Sequence, residues 1–324
     1  MVTSTSEDML KYIEIHKQVS PRQLLDVFPI SSRAIAKHLK RLFEEGKVTK
    51  MGRPPKVFYA IFKKEALTPL TRLGDEESTI IERRFYYITP LGEIKEGVKG
   101  FDYWCHQQKL PVQKTAFEYI KTLKKYDALK KDNLVNGLDK MKNTFEKTFL
   151  DDLFYLDFYA IERFGKTKLG QLLLLAKQSQ NRQQINELIS LIQPTIKKLM
   201  SSYNIDCIGF IPPTVKRNVQ IMDEFRKKMH ANLPILSISK LKTPIIVPQK
   251  TLSKLAHRIE NAAHTIVVED TRKFKTILLI DDAVGSGATL NETGRQMKEK
   301  KLCKRIIGLA VTGSVKGFDV ISEV

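Results

Sequence analysis

The sequence predicts a multi-domain chain: a small α+β unit at the start, a mostly helical middle region, and an α/β end built on a doubly wound parallel sheet. Three observations predict this. The 324 residues exceed what one hydrophobic core usually organises. Apolar residues recur at helical spacing through much of the first half of the chain. Beyond about residue 180, short apolar runs alternate with amphipathic stretches, the rhythm of parallel strands joined by right-handed crossovers. Domains are accordingly expected at 1–65, 66–180 and 181–324.

The composition is globular, with 42% hydrophobic and 28% charged residues. Lys and Arg outnumber Asp and Glu by 55 to 36, a formal net charge of +19 that favours a polyanionic partner; a merely basic, soluble surface is the alternative. Cys105, Cys207 and Cys303 lie far apart without metal-ligand spacing and read as reduced thiols of a cytoplasmic protein. The acidic, polar start lacks the features of a secretion signal, and no stretch approaches the ~20 apolar residues of a membrane helix.

In the first unit, Met9, Leu10, Ile13 and His16 fall at helical spacing. Ser20-Pro21 suits an N-cap with Pro at the first helical position, opening a short helix from Arg22 to Phe28. Ser31 caps a third helix with the apolar stripe Ile35, Leu39 and Leu42, which stops at Gly46. Lys47 to Lys50 and Lys56 to Phe62 alternate as two short strands around Gly52-Arg53-Pro54-Pro55.

The middle region offers helical character and no chemistry. Lys114 to Lys125 and Leu150 to Phe164 read as amphipathic helices, and the aromatic residues around Phe85 and Trp104 as core rather than a base-stacking platform. In the last region, Ile185 to Met200 reads as a helix interrupted by Pro194, and Val215 to His230 as a second helix. Ile205 to Ile211, Leu233 to Ile238, Thr276 to Ile280 and Arg305 to Val311 read as strands, with a polar stretch from Lys240 to His264 and a helix from Leu290 to Lys300.

The run Phe274 to Leu290 carries the chemistry. A continuous apolar strand of the doubly buried kind ends in Asp281 and Asp282, at the carboxyl end where open α/β sheets bind ligands. Gly285, Ser286, Gly287, Ala288 and Thr289 follow, a turn whose backbone N–H groups converge on a helix N-terminus and suit a phosphate. Two carboxylates repel a bare phosphate, whereas a sugar phosphate donates its ribose hydroxyls to the acids and seats its 5-phosphate in the turn. The run has neither the Gly-Lys-Ser/Thr of a P-loop nor the spacing of a dinucleotide turn.

From Ile277 to Leu290 the chain resembles the type I phosphoribosyltransferases, whose motif is an apolar strand, two acids, two small apolar residues and a Thr/Ser-rich glycine loop; Gly285 stands where the family more often has Thr or Ser. The segment Ile208 to Gln220 looks like the pyrophosphate-holding turn of the ComF-like branch. There Lys216 and Arg217 are the implied charge donors, and a plain surface helix is the alternative. Gln249, Leu252, Ser253, Arg258 and Asn261 are spaced like that branch's flexible catalytic loop. The resemblance covers roughly Ile185 to the end. It implies phosphoribosyl pyrophosphate (PRPP) as ligand or substrate, Mg²⁺ held indirectly at Asp281 and Asp282 through PRPP, and Asp281, Asp282 and Arg258 as the catalytic set. It leaves the acceptor unassigned.

The first 62 residues resemble winged helix-turn-helix DNA-binding domains, with Ser31 to Leu42 as recognition helix. The resemblance places Ser31, Ser32, Arg33 and Lys37 at the major groove and Arg53 and Lys56 on the hairpin tip, against double-stranded DNA. Protein contact or dimerisation is the other use of such a domain. The combination resembles purine-repressor-type regulators and implies a PRPP- or nucleotide-responsive transcriptional regulator. An active phosphoribosyltransferase, with a prokaryotic defence effector as one form of it, is the alternative.

Overall fold

The computed structural model describes residues 5–61, 73–179, 181–215, 217–229, 232–241, 244–245 and 247–314, the side chains of Arg53 and Lys250 excepted. The chain divides into two compact units, Met1–Leu70 and Thr71–Val324.

The first unit runs α1 (Thr5–His16), α2 (Pro21–Val27), α3 (Ser32–Glu44), β1 (Val48–Arg53) and β2 (Lys56–Ile61). Ser20 closes a capping box on α2: its hydroxyl accepts from the Gln23 N–H, and the Gln23 side chain accepts from the Ser20 N–H at 2.8 Å. Ser31 caps α3 by accepting from the Ala34 N–H at 3.2 Å. Gly46 leaves α3 at φ +65°, the left-handed turn that glycine adopts most readily. Met9, Ile13, Leu24, Ile35, Leu39 and Leu42 pack with Val19 and Val48 into one core. His16, expected on the apolar stripe, is exposed and stacks on Tyr12 at 4.0 Å. The hairpin pairs antiparallel from Val48↔Ile61 to Arg53↔Lys56.

The second unit opens with α4 (Asp75–Arg84), β3 (Tyr86–Ile88), β4 (Ile94–Glu96), α5 (Gly97–Gln107), α6 (Val112–Asp127), β5 (Lys130–Lys131), β6 (Leu134–Asn136) and α7 (Leu138–Thr144). It continues with β7 (Asp152–Phe158), β8 (Ala160–Ile161), β9 (Gly165–Lys166), α8 (Lys168–Ser179), α9 (Arg182–Ser202), β10 (Cys207–Phe210) and α10 (Ile221–Lys228). It closes with β11 (Ile238–Lys240), α11 (Leu255–Thr265), β12 (Ile266–Val268), β13 (Phe274–Val284), α12 (Ala288–Glu299) and β14 (Cys303–Gly313).

One six-stranded sheet organises this unit in the order β10-β13-β14-β7-β6-β5. The first four strands are parallel, and β6 and β5 add an antiparallel edge. Both faces are covered. Leu153, Tyr155, Ile277, Leu279 and Ile306 pack against α5, α6, α7 and α12, while Leu278, Ile280, Ile307 and Leu309 pack against α8, α9 and α10. The sheet is therefore doubly wound, as expected.

Four expectations are corrected. Leu150 to Phe164 is not a helix; it holds β7, paired to β14 from Ile307↔Asp152 to Gly313↔Phe158. A run apolar on both faces satisfies either period, and the seat between β14 and β6 decides for strand. A central strand of the sheet thus comes from the segment before residue 180. Of the helix expected from Val215 to His230, the structure has Ile221–Lys228, and the described residues before it, Val215 and 217–220, are not helical; Lys216 and His230 lie outside the described residues. Helix α9 runs through Pro194 without interruption, held by buried Leu188, Ile189, Ile192 and Ile196 on either side of it. Of the strand expected from Leu233 to Ile238, only an isolated bridge at Ile235 and the start of β11 are present.

Candidate functional site

The carboxyl ends of β10 and β13 open into a cavity of about 270 Å³, near the ~300 Å³ lower end of ligand cavities. Three parts line it: the residues from Asp281 to Leu290, the loop after β10 with Thr214 and Arg217, and α8 with Leu173, Leu174, Lys177 and Gln178. Pro248, Gln249, Lys240 and Arg258 close its remaining side.

The turn is built by the strand that precedes it and the helix that follows. Ile277, Leu278, Leu279 and Ile280 are fully buried and fix the end of β13. Gly287 stands at the start of α12 with φ +83°, and a Cβ there would lie 2.6 Å from Met141 Cε. Glycine meets both demands at this position. The Ser286 hydroxyl accepts from the Ala288 N–H at 3.3 Å. Gly285, Ser286, Gly287, Ala288 and Thr289 all reach the cavity, so the turn presents a helix N-terminus to whatever occupies it.

The two acids are held differently. Asp281 Oδ1 accepts the backbone N–H of Asp282 at 2.7 Å, while Asp282 Oδ1 lies 2.8 Å from Lys177 Nζ. Burial, and then the neighbouring Asp282, push the Asp281 carboxyl well above the usual carboxylate range; Lys177 and Lys240 pull it partly back. Lys240 donates to Thr214 Oγ1 at 2.7 Å, and burial lowers its ammonium against the opposing pull of both acids. Arg258 is buried, its Nε donates to the Leu252 carbonyl at 2.6 Å, and burial depresses its guanidinium. Gln249 Nε2 donates to the Arg258 carbonyl at 2.9 Å and to Asn261 Oδ1 at 3.1 Å, which ties the loop before α11 to that helix.

Asp281, Asp282, Arg258, Arg217 and the five turn residues thus share one cavity, whereas Lys216 lies outside the described residues. Sequence reading missed Lys177 and Lys240. The signal for Lys177 is the stripe Leu169, Leu172, Leu173 and Ala176, which turns its neighbour toward the sheet edge. For Lys240 it is a lysine closing an apolar run, at a strand's carboxyl end. Among the described residues no group of three His, Cys, Asp or Glu side chains is placed to hold a metal ion. Two acids fit a divalent cation that brings most of its own oxygen ligands on a phosphate.

In the first unit, Ser31 is engaged as a helix cap, and Ser32, Arg33 and Lys37 are exposed on α3, clear of the buried Ile35, Leu39 and Leu42. Lys56 is exposed opposite Arg53 at the hairpin end; the Arg53 side chain lies outside the described residues. Among the described residues no helix is long and apolar enough to cross a membrane.

No family model matches the chain, and no curated protein matches it. Among solved structures, it is similar to a hypoxanthine phosphoribosyltransferase from Staphylococcus aureus, 13% identical, over 40% of this chain and 73% of that one, with a TM-score of 0.24.

Proposed function

We propose that the second unit binds a ribose 5-phosphate group, carried by PRPP with Mg²⁺, and that the first unit binds double-stranded DNA as a winged helix-turn-helix. The chain is on this reading a PRPP- or nucleotide-responsive transcriptional regulator. The observation that carries it is the joint occupancy of one cavity by a phosphate-suited turn and two adjacent carboxylates. A ribose phosphate satisfies both at once, with N–H donors for the phosphate and carboxylate acceptors for the hydroxyls. Arg217 and Lys240 supply positive charge for a second phosphate group, and Lys216 is proposed to join them.

Asp281 and Asp282 would hold Mg²⁺ indirectly, through the ligand, and the ion would supply neutralising charge to the pyrophosphate. The chain's own groups bind and orient: the turn fixes the 5-phosphate, Asp282 accepts a hydrogen bond from a ribose hydroxyl, and the raised Asp281 carboxyl holds or releases a proton beside the sugar.

A second reading, transfer of the phosphoribosyl group to a base or nucleic-acid-linked acceptor, is favoured by Arg258 and Gln249, which reach the cavity from the loop and helix beside it. Calorimetry with PRPP and Mg²⁺ tests binding; absence of heat ends both readings. Pyrophosphate release over a panel of bases, nucleosides and nucleic acids separates them. Turnover abolished in Asp281→Asn marks an enzyme, and binding without turnover that alters DNA affinity marks a regulator.

A further inference from the structure

Helix α8 brings a lysine to the acid pair from a part of the chain well separated from the β13–α12 run. Lys177 Nζ lies 2.8 Å from Asp282 Oδ1, with the lysine side chain 15% exposed and the aspartate 31%. The pair is thus set into the cavity wall, unlike open surface pairs, which contribute little. The anchoring of α8 is specific. The Thr167 hydroxyl donates to the Phe158 carbonyl at 2.7 Å and accepts from the Gly170 N–H at 3.0 Å, pinning the start of α8 to the end of β7. Leu169, Leu172, Leu173 and Ala176 then seat the helix in the core, so Lys177 approaches Asp282 from a fixed platform.

A carboxylate offers about four acceptor sites, so Asp282 retains capacity for a hydroxyl while held by the ammonium. Asp281 has its backbone N–H donor instead. Among the described residues, Lys240, Arg258 and Arg217 are the other cationic groups along the wall, and Lys240 and Arg258 have partners at Thr214 and the Leu252 carbonyl.

We propose that Lys177 is a ribose-positioning residue: it holds Asp282 in the orientation that accepts a sugar hydroxyl, and thereby makes the cavity prefer a sugar phosphate to a bare phosphate. The inference rests on the ligand reading above and assigns to it a selectivity element outside the acid-and-glycine run. A purely electrostatic Lys177 would aid every anion alike, whereas a positioning Lys177 matters only to a ligand with hydroxyls.

The test titrates the full chain with ribose 5-phosphate and, separately, with inorganic phosphate. Lys177→Met is expected to weaken ribose 5-phosphate by on the order of tenfold, the worth of one charge-assisted hydrogen bond, and to leave inorganic phosphate within about twofold, inside the scatter expected when no contact is lost. Lys177→Arg is expected to restore the preference. Asp282→Asn should show the same sugar-specific loss, and the double variant Lys177→Met/Asp282→Asn no further loss. Equal weakening of both ligands by Lys177→Met, or additive losses in the double variant, overturns the proposal while leaving the ligand reading intact. Failure of the unaltered protein to bind either ligand overturns the ligand reading and this proposal with it.

Discussion

At the scale of single residues, Gly287 and Asp270 carry requirements that other side chains cannot meet. Gly287 combines a left-handed backbone with a Cβ position 2.6 Å from Met141. Gly287→Ala is expected to cost about 1–2 kcal/mol of stability through the left-handed backbone it must adopt, read by denaturant titration, and, if the turn holds a phosphate, to weaken that binding as the turn shifts. Asp270 is buried and accepts from the Arg272 guanidinium, at 2.6 Å for the shorter contact, and from the Arg272 and Ser237 N–H groups. The Arg272 hydrogen bond, opposed by burial and aided by those backbone bonds, holds its carboxyl below the usual range. The sign follows: folding stabilises the ionised form, so this contribution is complete above the unfolded value near ~4 and disappears as pH falls toward the folded value. Asp270→Asn should lower stability at neutral pH by about 1–3 kcal/mol, the worth of hydrogen bonds lost to a buried charged acceptor, and flatten the acid limb. An unchanged limb in urea titrations between neutral and acidic pH would refute the assignment.

At the scale of elements, α8 and α3 each bury an apolar stripe and carry a basic residue beside it. A Cβ on Gly170 would stand 2.1 Å from the Tyr159 carbonyl oxygen, so Gly170→Ala must push α8 from the end of β7. The expected result is reduced ribose 5-phosphate affinity, although residue 170 is not among the cavity-lining residues, with a stability loss of about 1–3 kcal/mol from overpacking. On α3, Ser31→Ala should destabilise the first unit by ~1 kcal/mol through loss of its cap. Arg33→Ala and Lys37→Ala should leave the melting transition in place. If α3 meets DNA, each basic variant lowers duplex affinity and reduces the slope of log affinity against log salt by about one for a phosphate contact. Electrophoretic or fluorescence titrations at two salt concentrations decide it, and equal slopes would remove α3 from the interface.

At the scale of the whole molecule, a regulator requires coupling between its two ligands. PRPP should then change DNA affinity by roughly 5- to 150-fold, and DNA should change PRPP affinity by the same factor. Fluorescence titration of a DNA duplex with and without PRPP and Mg²⁺ measures the first factor, and calorimetry of PRPP with and without duplex measures the second. Unequal factors would exclude simple thermodynamic linkage, and factors of one would favour the enzyme reading.

The order of helices and hairpin in the first unit, and the strand, acid pair and glycine turn of the second, were legible in the sequence because their signals are local. Ser20-Pro21, Ser31 and Gly46 act on neighbouring backbone, and the run from Phe274 to Leu290 encodes its own strand, turn and helix start. Tertiary structure alone decided the rest. The apolar segment at 152–158 is a strand because β14 and β6 offer it hydrogen bonds on both sides, which no periodicity records. Lys177 meets Asp282 across more than a hundred residues of chain because α8 is pinned to the end of β7, beside the strands whose carboxyl ends form the cavity. Local sequence dictates backbone shape within a few residues, whereas a site at the edge of a parallel sheet is assembled by strand order, which only the packed molecule selects.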